Sequence, residues 1–415
     1  MPSTTSAWTS WLVLSMFYAY QFIQRILPNI IMDDIMTKYH VNANEMSHFA
    51  GIYYVGYVIA HIPIGMMLDR FNAKKIIPLC ILVTVFGLSP LRYVDDFRIV
   101  GLGRLFVGMG SSAATVGAFQ LIRLGFGEKK FPKMLGWMVT IGLVGAVFGS
   151  GPLTKLISHL GWRQTLDCLL ILGLLLFVLS YFSIPNTNSD TRSNVINIIE
   201  DFKTLLKNRT IFVICIIGGF MIGPLEGFAD AWSNPYLKTV FKLNNEQSSN
   251  VTQLVYIGMA IGLFIMGTVF EKTKSYYSLL TTSAISMLVC LLVLTKDHTY
   301  SIVTLEILFF TIGLFCSYQV LIIAKVVDLV EPNRATFISA VANMIMMGFG
   351  YFSHRSIGIV LHYFWDGSRN KLGIPVYSIK SFNQSIYVLI LALMCAVIGL
   401  ATLYIIEKKD SKKTL

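Results

Sequence analysis

The chain has 415 residues, 55% of them hydrophobic and only 13% charged, with a mean hydropathy of +0.66. Soluble domains carry about 25% charged residues, so this composition excludes an ordinary water-covered surface. A formal net charge of +11 does not mark a nucleic-acid binder here, because most Lys and Arg residues lie in loops between apolar runs.

Those runs are roughly 18 to 25 residues long, the length a helix needs to cross about 30 Å of hydrocarbon. In chain order they predict spans over 8–31, 46–67, 76–93, 98–122, 132–157 and 165–184. A second set follows over 211–236, 248–269, 276–295, 299–324, 335–361 and 383–406. The runs are continuous rather than alternating, which predicts helices and not a barrel. The expectation is an all-α membrane protein of twelve transmembrane helices in two pseudo-symmetric six-helix bundles.

With the N-terminus inside, 19 Lys and Arg residues fall on the cytoplasmic side and 11 outside. This bias predicts that both termini are cytoplasmic. The first run lacks a basic leader and is too long for a cleavable signal peptide. Six cysteines, at 80, 168, 215, 290, 316 and 395, all fall within spans without paired spacing. They support neither a disulfide framework nor a metal site.

The longest polar interruption, 186–209, opens with Asn-Thr-Asn-Ser-Asp and continues with Val195, Ile196, Ile199, Phe202 and Leu205 among charges. It predicts a linker with an amphipathic cytoplasmic helix, separating an N-terminal bundle (1–185) from a C-terminal bundle (210–415). A second polar loop, Trp365 to Phe382, lies outside. No nucleotide-hydrolysing domain is evident, so transport would draw on a gradient. Gly101-Leu102-Gly103 and Gly108-Met109-Gly110 follow no strand, so close helix packing explains them better than a dinucleotide loop.

Two turns repeat the same punctuation 202 residues apart. Gly65-Met66-Met67-Leu68-Asp69-Arg70 precedes Lys74 and Lys75, and Gly267-Thr268-Val269-Phe270-Glu271-Lys272 precedes Lys274. Such duplication in an apolar chain marks two similar halves. These turns resemble the Gly-x-x-x-Asp-Arg-x-Gly-Arg-Arg/Lys signature of the major facilitator superfamily, with Asn72 where the family has Gly. Gly103 to Gly110 resembles its Arg-x-x-x-Gly-x-Gly segment. Gly142, Gly145, Gly149, Gly151 and Pro152 match a Gly-Pro motif in part.

More narrowly, three segments resemble the phagosomal transporter family of intracellular bacteria, which imports amino acids and nucleosides. They are Tyr20 to Pro28, Gly223 to Trp232, and Ala340 to Ile345.

Charges at bilayer depth cost at least about 2.5–3.5 kcal/mol each, so those that persist are candidate functional groups. Tyr18, Gln21 and Arg25 share one face of the first span, and Glu226 and Asp230 share one face of the seventh. The 202-residue offset carries Arg25 to position 227, beside Glu226, and Arg104 to Glu306. The resemblance implies that spans one, four, seven and ten line the substrate path. There a guanidinium suits a substrate carboxylate, and carboxylates suit an ammonium. The substrate-binding candidates are therefore Tyr18, Gln21, Arg25, Glu226, Asp230, Asn343 and Tyr318, with Gln319 beside the last.

Pairing of Arg25 with Glu226 as a gate that never touches substrate is the competing expectation. The proton-coupling candidates are Glu226 first, then Asp230, with Arg104, Glu306 and His354. His61 is a further titratable group, and Arg355 is expected to snorkel outward. Asp69 and Arg70, with Glu271 and Lys272 as their counterparts, form the candidate conformational gate.

The resulting expectation is a proton-coupled secondary transporter that imports an amino acid or similar small polar nutrient by alternating access. It would act as a monomer in the bacterial inner membrane, with protons, a small-molecule substrate and the lipid bilayer as partners and no cofactor or nucleic acid. A nucleoside importer, a proton-exchange efflux pump for drugs or a siderophore, and a transporter-like nutrient receptor are the alternatives. No catalytic constellation argues for an enzyme.

Overall fold

The computed structural model describes residues 4–127, 129–186, 208–331 and 334–413. The expected linker helix lies outside them. The first half comprises α1 (Thr4–Ile30), α2 (Met32–Tyr39), α3 (Ala43–Arg70), α4 (Ala73–Tyr93) and α5 (Phe97–Phe126). It continues with α6 (Phe131–Phe148), α7 (Gly151–Leu160) and α8 (Trp162–Ser183). The second half begins with α9 (Arg209–Phe220), a π-helix (Gly223–Ala229) and α10 (Ser233–Val240). Then come α11 (Asn245–Thr273), α12 (Tyr276–Lys296), α13 (Ile302–Cys316), α14 (Tyr318–Val327), α15 (Ala335–Tyr363) and α16 (Ile379–Lys413).

Ten stretches among the described residues are long and apolar enough to cross a membrane. With α1 and α15, of 27 and 29 residues, they make up the twelve-span all-α fold. Local chemistry sets many helix starts. The side chains of Asn72, Asp96, Asn208 and Ser301 accept backbone N–H groups at the starts of α4, α5, α9 and α13. Asn244 and Gln247 form a reciprocal capping box at α11.

Three expected spans are not continuous helices. The fifth breaks at Gly149–Ser150, where Pro152 starts a new helix, and the tenth breaks at Ser317. The seventh, expected as one helix over 211–236, divides into α9, the π-helix, a turn at 230–232, and α10. Pro224 and Pro235 supply the reason, since neither has an N–H and each removes a helical hydrogen bond.

Contacts gather the chain into two compact units, residues 1–41 with 48–201, and 42–47 with 202–415. In the first, Trp11, Leu14, Phe17 and Tyr20 of α1 are buried with Ile64, Leu68, Ile77 and Ile81. Outside this core, α8 exposes Ile171, Leu175, Val178 and Phe182, a face suited to acyl chains. Within the second unit, Arg355 is not left to snorkel. Its Nη1 donates to the carbonyl and Oδ1 oxygens of Asn44 at 2.7 and 2.8 Å, and to Ser47 Oγ at 3.1 Å.

Candidate functional site

In the first unit, Pro28 disturbs the hydrogen-bond ladder of α1. Lacking an N–H, it leaves the carbonyl of Gln24 without its helical donor. Arg104 of α5 fills the gap, its Nη1 donating to Gln24 O at 2.5 Å and its Nη2 to Arg25 O at 2.8 Å. The Arg104 guanidinium also lies 5.0 Å from the Tyr53 ring centroid, a cation–π contact. A charge that is costly at this depth is thus used to hold the turn of α1 that carries Arg25.

Arg25 is buried, its guanidinium carbon 4.3 Å above the Phe22 ring. Gln21 Oε1 accepts the Tyr53 hydroxyl at 2.8 Å. Tyr18 is half-buried, edge-on to Phe22 with centroids 5.3 Å apart. Tyr53 thus holds Gln21, and the Phe22 ring lies against both Arg25 and Tyr18.

In the second unit, the π-helix presents Glu226 and leads to Asp230, whose N–H bonds Leu225 O five residues back. Both carboxylates are 1% exposed. They are held by different helices: Gln319 Nε2 of α14 donates to Glu226 Oε1 at 2.9 Å, and the Tyr256 hydroxyl of α11 donates to Asp230 Oδ1 at 3.0 Å. π-Helical turns concentrate at functional sites because they re-aim side chains. Tyr318 is fully buried, its hydroxyl donating to Gly218 O at 2.8 Å, which braces α9.

Helix packing corrects the repeat register read from the turns. A Cβ on Gly56 would collide with the carbonyl of Leu105, and one on Gly258 with that of Phe310. Gly108 meets the carbonyl of Tyr53 in the same way, and Gly313 meets that of Val255. The α3 and α11 members of these pairs stand 202 residues apart, but the α5 and α13 members stand 205 apart. Arg104 therefore corresponds to Phe309, not to Glu306, which lies one turn away and is half-buried. Phe309 packs against Phe228 of the π-helix at 5.9 Å between centroids, so an apolar pair replaces the arginine–carbonyl clamp of the first half.

His354 is buried on α15 and Asn343 half-buried on the same helix. Arg70, Glu271 and Lys272 are exposed at helix ends, and the Asp69 side chain lies outside the described ones. Sequence reasoning names Gln319 but misses Tyr53, Tyr256 and Ser233-Asn234. A signal for part of this exists: Ser249, Thr252 and Tyr256 stand at i, i+3 and i+7 on one face of α11. Among the described residues, no group of three or more His, Cys, Asp or Glu could hold a metal ion.

A family model described as Major Facilitator Superfamily matches residues 11–353. The chain belongs to the major facilitator superfamily. It is a multi-pass membrane transporter, not an enzyme. A probable L-galactonate transporter of Escherichia coli K12 is 20% identical over 279 residues, 63% of this chain and 61% of that protein. The uncharacterized transporter YybF of Bacillus subtilis is 19% identical over 81% of this chain and 82% of its own length.

Solved structures share the fold of this transporter. A bacterial homolog to the human lysosomal transporter Spinster superposes with a TM-score of 0.81 at 15% identity, covering 96% of this chain and 97% of that one. The nucleoside transporter NupG gives 0.72 at 13% identity, covering 95% and 98%. A D-xylose–proton symporter gives 0.75 at 11%, covering 95% and 97%.

Proposed function

We propose that this transporter imports an amino acid or a similarly small polar nutrient, coupled to protons, across a bacterial inner membrane. Its termini are cytoplasmic and the working unit is a monomer. One observation carries the reading: buried groups of opposite sign are kept where proline removes a backbone donor from two spans. Arg25 sits three residues before Pro28 of α1, and Glu226 on the π-helix that Pro224 opens. Discontinuous spans are where secondary carriers build substrate and ion sites. Arg25 offers a planar donor fork suited to a carboxylate, and Glu226 an acceptor suited to an ammonium.

Glu226 is also the first group to assign to the proton, since a buried carboxylate changes charge with its surroundings. Asp69, Arg70, Glu271 and Lys272 would make and break ion pairs as the carrier alternates. Asp230 stands second to Glu226 for both roles, and Arg104 supports Arg25.

A nucleoside is the second reading, favoured by the Tyr53–Gln21 pair, whose phenol and amide suit a base edge. Reconstitution in proteoliposomes tests both. A labelled panel of amino acids and nucleosides, with and without an inward acid gradient, should show gradient-dependent accumulation of an amino acid. Accumulation of nucleosides alone, or binding without net flux, would overturn the leading reading.

A further inference from the structure

Around Asp230, which stands behind Glu226 in the reading above, the second unit holds a buried cluster of side-chain oxygen atoms. The chain turns at 230–232 between the π-helix and α10. Pro235 has no N–H, so the carbonyl of Ala231 loses its helical donor at that turn. Thr252 Oγ1 lies 2.9 Å from both Ser233 Oγ and Asn234 Oδ1, and Asn234 Nδ2 donates to Ser249 Oγ at 2.9 Å. One turn further along α11, the Tyr256 hydroxyl holds Asp230 Oδ1. Ser233, Asn234, Ser249, Thr252 and Asp230 are all buried, none more than 4% exposed.

We infer that this break binds a sodium ion, held by the Asp230 carboxylate with the oxygens of Asn234, Ser233, Thr252 and the Ala231 carbonyl. The donor set is all oxygen, which suits a hard cation and disfavours soft or imidazole-seeking metals. It contains one carboxylate among neutral groups, so a single positive charge balances it. A divalent ion would leave net charge buried at a cost that neutral oxygens do not offset. Broken spans supply unwound carbonyls to coupling ions, and here the break and the carboxylate coincide. Glu226 remains separate, because Gln319 on α14 holds it while Asp230 faces α11.

As a coupling ion, sodium rests on the carrier reading above; as a bound ion, it does not. The test therefore uses sodium alone on the purified full chain in detergent micelles. Thermal unfolding is followed in sodium, potassium and choline chloride at equal ionic strength, with no substrate present. Wild type should show a saturable, sodium-specific rise in midpoint of roughly 2–4 °C. Asp230→Asn and Thr252→Val should each abolish the rise.

Equal midpoints in the three salts would overturn the site, and so would a rise that survives both substitutions. The wild-type salt comparison decides even if a variant fails to fold. If the substrate panel fails, the sodium-specific rise still stands; if no rise is seen, acid-driven uptake is untouched.

Discussion

The Arg104 guanidinium donates to the carbonyl oxygen of Gln24, the acceptor that Pro28 deprives of its helical N–H. Removing the donor leaves a buried carbonyl without compensation. Arg104→Ala should therefore lose about 1.5–3 kcal/mol of stability, the range for hydrogen bonds to charged groups. Adding Pro28→Ala restores the backbone donor, so the double variant should recover part of that loss. Denaturation midpoints in micelles check this, and an additive loss in the double variant would show that the carbonyl freed by Pro28 is not what Arg104 supports.

Close helix crossings make a second prediction with a built-in control. Gly108 and Gly313 meet backbone carbonyls of Tyr53 and Val255, which cannot swing aside as side chains do. Gly108→Ala and Gly313→Ala should each destabilise by about 1–3 kcal/mol or more, through forced separation of the helices. A methyl group on Gly101 would meet no atom within 4 Å, so Gly101→Ala should be neutral or stabilise by up to about 1 kcal/mol. Thermal midpoints of the three variants make the comparison.

Span number and the two-part plan were legible because bilayer thickness fixes run length, and the Gly65 and Gly267 turns repeat in sequence. The Arg104–Glu306 correspondence was not. Three extra residues between α11 and α13 shift the register, and only backbone contacts at Gly56, Gly108, Gly258 and Gly313 reveal it. Pro224 and Pro235 advertised a disturbed seventh span, yet a hydropathy run is blind to a π-helical turn. The groups of the candidate site were visible as charges in apolar runs. Their holders, Tyr53 and Tyr256, were hidden because a tyrosine in an apolar span reads as ordinary core.

Outside the spans, acid should loosen the loop after α12. Asp297 Oδ1 accepts the Thr299 hydroxyl at 2.9 Å and the Thr299 N–H at 3.0 Å, and these bonds hold its carboxyl below the usual 3.8. A carboxyl whose folded value is depressed contributes stability above its unfolded value, lost as pH falls through the folded one. Exchange of the Thr299 amide should therefore accelerate below about pH 4 relative to the intrinsic acid rate. Asp297→Asn should remove that pH dependence while leaving exchange in α12 unchanged.

Glu226 makes the sharpest demand on the proposed mechanism. Gln319 Nε2 donates to its Oε1, so Glu226→Gln keeps the volume and an acceptor oxygen for that bond while removing the titrating proton. If Glu226 carries the coupling proton, the variant should lose uphill uptake under an inward acid gradient by tenfold or more, yet retain exchange of labelled for unlabelled substrate. Exchange needs only that the loaded carrier reorient, whereas accumulation needs the empty carrier to return with its carboxyl in the other protonation state. Uphill uptake that persists in Glu226→Gln removes this residue from coupling. Loss of exchange as well would show that the ammonium contact proposed for Glu226 needs its negative charge, and Arg25→Ala should then fail in the same way.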